Sequence, residues 1–337
     1  MSAIPYHDKQ VIPICVGSEG ALWELHLVLK SRAMSVFKRF YLRSFVRLVA
    51  NKIGLDPLFL RLRLSGTIKF DKHNNTYVRD IRGNKFHLNP KDQGISRVLA
   101  KNGIREKESV DALFQHVHSD MTILDLGANI GFYVLLEAQI VSQGHGRIFA
   151  LEPGPENIRL LNLNVSANKY ENRVTVIQGA LSDKTGTAKL ELSALSNCHR
   201  LALASPPAVN TKMIDVPSFT FTDLLNHISV MIDDVDFLRM DIEGGEYLIL
   251  DEIIALVKQR ESFLMFIEFH PHANLQKHVL SLQQLEAAGF SCLTATKEYI
   301  ENGRVCRRHC PNTKIHALYS DEFFLQGGGC EVFLQKG

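Results

Sequence analysis

Residues 124–133 read LDLGANIGFY: an apolar run holding Asp125, then Gly127, Asn129 and Gly131, then the start of a long apolar stretch. With Thr122 and Ile123 the first part makes a short strand, TILDL. The sequence IGFYVLLEAQIV that follows has the length of a helix, closed by Gly144. Glycines between a strand and a helix let backbone approach a ligand, and ligands of open α/β sheets sit beyond the carboxyl ends of the strands. A dinucleotide fingerprint would read G-x-G-x-x-G and aim its amides at a pyrophosphate. This turn reads D-x-G-x-N-x-G instead. A carboxylate at the strand end repels phosphate, so a cationic or amino-bearing ligand suits it better.

One unit further on, RIFALE ends at Glu152, and the helix PENIRLLNLNVSAN opens with Pro155 in its first turn. RVTVIQ then ends at Gln178-Gly179-Ala180. Strands alternating with helices predict a mostly parallel sheet covered on both faces. TAKLEL and MIDVPSFT read as edge strands. They are followed by VDFLRMD, a helix from about Glu246 to Lys258, FLMFIEFH, a helix near Leu275 to Ala288, FSCLTA, and a terminal strand EVFLQ. An acid at Glu152 can accept hydrogen bonds from both ribose hydroxyls, and Gly179 and Ala180 leave room for a flat base. An amino end, a ribose and a base laid across three strand ends describe S-adenosylmethionine, a nucleoside without phosphates.

Three stretches in this order, LDLGANIGFY, ALEPGPENIRLLNLN and DFLRMDIEGGEYLIL, resemble the FkbM-type family of class I S-adenosylmethionine-dependent methyltransferases. The most family-specific of them is D-x-E-G-x-E, from Asp241 to Glu246. The likeness runs from about Asp125 to Phe290, with a weaker echo upstream in KDQGISR. It implies a Rossmann-like α/β fold with a seven-stranded sheet, one strand antiparallel, and O-methylation of a hydroxyl on a sugar, glycan, lipid or natural product. By the resemblance, Asp125, Gly127, Asn129, Gly131 and Glu152 bind the cofactor. Phe132, Gly179, Ala180 and Asp241 join that list as neighbours of the same strand ends.

Methyl transfer from a sulfonium is an in-line displacement in which positioning does much of the work, helped by a base near the hydroxyl proton. Candidates belong where the fourth and fifth strands end. Asp241 and Glu243 are two apart, as are Glu268 and His270, so each pair shares a strand face. His270 is the leading general base because an unperturbed imidazole titrates near neutrality. Asp241 is assigned to the cofactor's amino-acid end or the acceptor hydroxyl, and Glu243 to orienting the base or binding the acceptor. No metal is predicted, although the oxygen-rich set would suit magnesium. Glu246 reads as a first-turn acid favoured by the helix dipole. Acceptor contacts fall to Asn197, His199 and Arg200 in the polar loop SALSNCHRLALASPPAVN.

The whole chain frames these motifs. Its 337 residues, 45% hydrophobic and 22% charged, are those of a globular protein, and a net charge of +2 gives no reason to expect a nucleic-acid partner. Six scattered cysteines fit reduced thiols in the cytoplasm, and Cys306, His309 and Cys310 lack the second matched pair of a zinc site. The expected organisation is an extension over residues 1–55, a hairpin and helix lead-in over 56–105, and the methyltransferase domain over 106–337. Between Lys30 and Lys52 lie seven basic residues and no acids, a basic amphipathic helix suited either to packing on the domain or to peripheral contact with an anionic membrane. Two other functions stay open: a methyltransferase-like scaffold without catalysis, and an NAD-dependent oxidoreductase, for which Asp125 is the wrong residue. The oligomeric state is not legible.

Overall fold

The computed structural model describes residues 46–48, 50, 56–193, 195–202, 212–271, 274–301 and 304–337. Nearly all of the extension over residues 1–55, and with it most of the basic helix of residues 30–52, lies outside them. The described chain opens with helix α1 (Pro57–Leu64), whose first turn is capped by Asp56, and a small antiparallel sheet of β1 (Lys69–Asp71), β2 (Thr76–Ile81) and β3 (Asn84–Leu88). Helices α2 (Ile95–Asn102) and α3 (Lys107–His116) lead into β4 (Thr122–Leu126).

Every residue of β4 is buried, as a central strand with helices on both faces requires. Helix α4 (Phe132–Val141) follows, then β5 (Arg147–Glu152), α5 (Pro155–Ala167) and β6 (Val174–Gln178). After a break at Gly179 the chain makes β7 (Ala180–Leu181), β8 (Gly186–Leu192), β9 (Arg200–Leu201) and β10 (Lys212–Phe219). It then returns through α6 (Phe221–Ile228), β11 (Phe237–Met240), α7 (Glu246–Val257), β12 (Phe263–Phe269) and α8 (Leu275–Ala287). The last elements are β13 (Phe290–Glu301), β14 (Arg304–Pro311), α9 (Ile315–Tyr319), α10 (Glu322–Leu325) and β15 (Cys330–Lys336).

Among the described residues, one sheet runs in the order β14-β13-β15-β12-β11-β4-β5-β6. Strands β12, β11, β4, β5 and β6 are parallel, and β15 is inserted antiparallel between β12 and β13. Seven of these strands are the predicted sheet. The eighth, β14, has no counterpart in the sequence pattern: RVCRRHCP has little apolar alternation, and an edge strand is held largely by its backbone ladder with β13. A second correction concerns TAKLEL and MIDVPSFT, which do not edge the main sheet. They pair with each other as β8 and β10 in a separate sheet of order β7-β10-β8-β9. The tie is the antiparallel register from Lys212↔Leu192 to Ser218↔Gly186.

The two faces of the main sheet carry two cores. On one face Ile123, Ile148, Phe237, Phe266 and Phe333 pack with α4 and with the lead-in residues Phe59, Tyr77, Phe86 and Leu99. The other face buries Leu124, Leu126, Leu238, Met240 and Ile267 against α6, α7 and α8. Helix α4 is apolar nearly all round because it is covered from both sides, by the sheet and by the small hairpin sheet. Phe86 lies 6.2 Å from Phe132 between ring centroids, and Asn164 of α5 accepts the His87 amide at 2.6 Å. Fully burying each such side chain is worth about 1.5–3 kcal/mol, which binds the lead-in to the sheet that carries the site.

Candidate active site

The strand ends meet around the turn after β4. Gly127 has φ +88°, and a Cβ there would lie 1.8 Å from the Asp241 carbonyl oxygen, so the glycine lets the ends of β4 and β11 touch. At Gly131 (φ +89°) a Cβ would lie 2.6 Å from Leu161 Cδ1. That glycine serves helix packing, rather than the close approach of a ligand. Asn129, also left-handed at φ 54°, turns its amide onto Glu152 Oε2 at 2.9 Å.

Asp125 takes a different position from the one its motif suggested. By the two-residue period of a strand it shares a face with Ile123 and points into the core, 0% exposed. Its register partner in the sheet is Arg239, whose Nη1 donates to Asp125 Oδ1 at 2.9 Å while Nη2 donates to Asp241 Oδ2 at 3.1 Å. Burial pushes the Asp125 carboxyl upward against the pull of Arg239. The guanidinium lies 4.2 Å from the centroid of the Tyr133 ring, and the Tyr133 hydroxyl donates to Glu106 at 2.8 Å. Glu106 is in turn paired with Arg105. Asp125, Gly131 and Phe132 are thus buried supports of the turn, and the charge expected to repel phosphate is answered by Arg239 from inside the sheet.

An open cleft lies beyond the ends of β4, β5, β6 and β11. Gly127, Asn129, Glu152, Gly179, Ala180, Asp241 and Glu243 line it, as do Asn197, His199 and Arg200. Glu152 closes one wall: Oε1 accepts from the Gly154 amide at 2.8 Å and Asn157 Nδ2 at 3.1 Å, and Oε2 from the Asn129 amide. Burial nevertheless pushes its carboxyl up to about 7. The opposite wall is the strap around Ser196–Cys198. Asp92 of KDQGISR accepts from the Ser196 amide at 3.1 Å and the Ser196 hydroxyl at 2.8 Å, and Asn157 donates to the Ser196 carbonyl at 3.0 Å.

At the far end Asp241, Glu243 and His270 each bring a donor atom within 4.8 Å of the others. His270 Nε2 stands 3.7 Å from Glu243 Oε2 and 3.6 Å from Glu268 Oε1, and Nδ1 is 2.9 Å from Glu246 Oε1. Burial alone would draw the ring's pKa down, but Glu246, Glu268 and Glu243 hold it well above the ordinary value. Both nitrogens face carboxyl groups, which favours the imidazolium form and makes the ring a positive charge among them. That leaves it no lone pair with which to act as the expected base. Burial raises the Glu243 carboxyl to about 8, with Asp241 and Glu246 adding to the rise against His270.

Sequence reasoning did not find Asn157, Ser196, Arg239, Tyr133, Arg105, Glu106 or His278, and Glu246 is no solvated first-turn acid but fully buried. The one available signal was chemical: Arg239 and Glu246 are charged residues set in otherwise apolar runs. The methyltransferase FkbM domain model matches residues 125–292, and the chain belongs to that family. No curated protein matches it in sequence. Among solved structures it is similar to methyltransferase FkbM from Methylobacillus flagellatus KT, with a TM-score of 0.37 and 12% identity over 93% of this chain and 58% of that one. The O-methyltransferase from Bacillus cereus, solved with SAH, gives 0.40 and 11% over 69% and 82%. Precorrin-6y C5,15-methyltransferase from Geobacter metallireducens GS-15 gives 0.36 and 13% over 70% and 93%. These are likenesses of fold alone.

Proposed function

We propose that this FkbM-family chain transfers a methyl group from S-adenosylmethionine to a hydroxyl of a small-molecule, glycan or lipid acceptor. The observation that carries the reading is one cleft with two unlike ends: a wall built on Glu152, and Asp241 and Glu243, with His270 standing 3.7 Å from Glu243. The donor set fits the cofactor. Glu152, Asp241 and Glu243 line the cleft, and the one lining arginine, Arg200, is tied to Glu191 at 2.8 Å. Such a wall disfavours a pyrophosphate and suits a ligand with a sulfonium and an ammonium group. Gly127, Asn129, Glu152, Gly179, Ala180 and Asp241 would hold it, with Asp125, Gly131 and Phe132 shaping the turn behind them. When bound, S-adenosylmethionine supplies an electrophilic methyl group.

The chain's own chemistry is then proton management and positioning. Glu152 keeps a lone pair on Oε2 beyond the Asn129 amide for a ribose hydroxyl. Glu243, its carboxyl near 8, ionises as the pH rises through that value; the ionised form is placed to take a proton from an alcohol, and the His270 charge beside it favours that form. Asn197 and His199 of the strap offer polar contacts to a hydroxyl-rich acceptor.

The test is incubation of the full chain with methyl-tritiated S-adenosylmethionine and panels of glycans, lipids and small alcohols, followed by mild alkali. Label that survives as an ether supports the reading. Label released as methanol would mean carboxyl methylation and would contradict it.

A further inference from the structure

We infer that Glu246 is a positioning residue of the methyl-transfer site: its buried carboxylate, shared between His270 and His278, fixes the His270 ring with Nε2 against Glu243 and Glu268. The inference rests on the reading of Glu243 as the proton acceptor. Glu246 and His278 are both 0% exposed. Glu246 Oε1 lies 2.9 Å from His270 Nδ1 and accepts the Gly244 amide at 3.0 Å, while Oε2 lies 3.1 Å from His278 Nε2. The second nitrogen of His278, Nδ1, stands 2.8 Å from the Asn274 carbonyl, which can only accept. Both His278 nitrogens are thus engaged, and the ring is a fixed prop behind the carboxylate.

The turn from β11 to α7 makes this arrangement. Glu243 and Gly244 have φ +57° and +101°, and the reversal brings Glu243 and Glu246, three residues apart, onto one imidazole. Stability alone does not account for it: a buried carboxylate between two rings is matched or bettered by apolar side chains of the same volume. What the trio provides is orientation. A hydrogen bond at one ring nitrogen sets where the other points and which protons the ring carries. It also provides charge: the His270 ring stands 3.7 Å from Glu243 and 3.6 Å from Glu268 and favours their ionised forms, which burial opposes.

Burial alone would raise the Glu246 carboxyl, but the His270 charge and the bonds from both rings hold it well below the carboxylate range. The charged groups facing His270 are Glu246 from α7, Glu243 and Asp241 from the turn after β11, and Glu268 from its own strand. The strap's Cys198 stands near as well, its thiol pushed up to about 11 by burial and by Glu243.

The experiment is long-range ¹H–¹⁵N NMR of the histidine-labelled full chain, with His270 assigned by the spectrum of His270→Asn. Glu246→Gln keeps shape and hydrogen-bonding reach but removes the charge. In the wild type at pH 7 both His270 nitrogens are expected to carry protons. In Glu246→Gln one is lost, and the titration midpoint falls toward that of an exposed histidine. His278→Asn, which removes only the prop and keeps the Glu246 charge, is expected to change the His270 ¹⁵N shifts, and it decides the matter alone if Glu246→Gln loses its cooperative melting transition. A His270 signal unchanged in the variants, or neutral in the wild type at pH 7, overturns the inference. The methyltransferase reading fails separately, if the wild type does not bind S-adenosylhomocysteine.

Discussion

The two ends of the cleft handle buried acids in opposite ways. At the β4–β5 end, Glu152 is satisfied by amide groups, the backbone amides of Asn129 and Gly154 and the side chain of Asn157. At the β11–β12 end, Asp241, Glu243, Glu246 and Glu268 face side-chain partners instead: Arg239 within the sheet, His270 at the end of β12 and His278 on α8. Neutral amide donors leave the Glu152 carboxyl near neutrality, whereas full charges hold Glu246 far below it. In the proposed function the amide-bonded wall binds the ligand and the side-chain group moves the proton, and this division can be broken one end at a time.

The largest effect belongs to the chemical end. Glu243→Gln should lower turnover by about 10²–10⁴-fold, the range of a lost general base, while S-adenosylhomocysteine still binds. Single-turnover kinetics on whichever acceptor carries alkali-stable tritium would check it. Next comes the support beneath both ends: Arg239→Met leaves Asp125 and Asp241 without their cation and should cost about 3–5 kcal/mol in urea unfolding. A change under about 1 kcal/mol would show that the guanidinium is not what neutralises them.

At the binding end, Glu152→Gln should weaken S-adenosylhomocysteine by about 10–100-fold, the worth of charge-assisted hydrogen bonds. The pH sense follows from its carboxyl near 7. The folded chain holds this proton up to that pH, hydroxyl donors favour the ionised form, and so wild-type affinity should rise from about pH 6 to 8. In the Glu152→Gln variant the profile should lose that rise. The smallest effect is expected at the strap: Asp92→Asn loosens its hold on Ser196 and should change cofactor affinity by less than about tenfold.

Much of the binding end is legible in the sequence because its signals are local. Strands alternating with helices give the mostly parallel sheet, and Glu152 closes its strand where the structure places the cleft. The part that cannot be read consists of contacts between distant segments. The motif presents Asp125 as a ligand-facing acid because it does not reveal that Arg239, 114 residues away, stands beside it in the sheet. It presents His270 as a base because spacing alone does not place Glu246 and His278 around the ring. The strand β14 escapes because RVCRRHCP carries little apolar alternation, and the β8–β10 pairing because alternation marks a strand without naming its partner.

Calorimetric titration of the full chain with S-adenosylhomocysteine, and separately with NAD, bears on all of this at once. Saturable one-to-one binding of S-adenosylhomocysteine, weakened in Glu152→Gln, with no binding of NAD, is the result expected of a methyltransferase cleft walled by carboxylates. Binding of NAD without S-adenosylhomocysteine, or of neither, would contradict it.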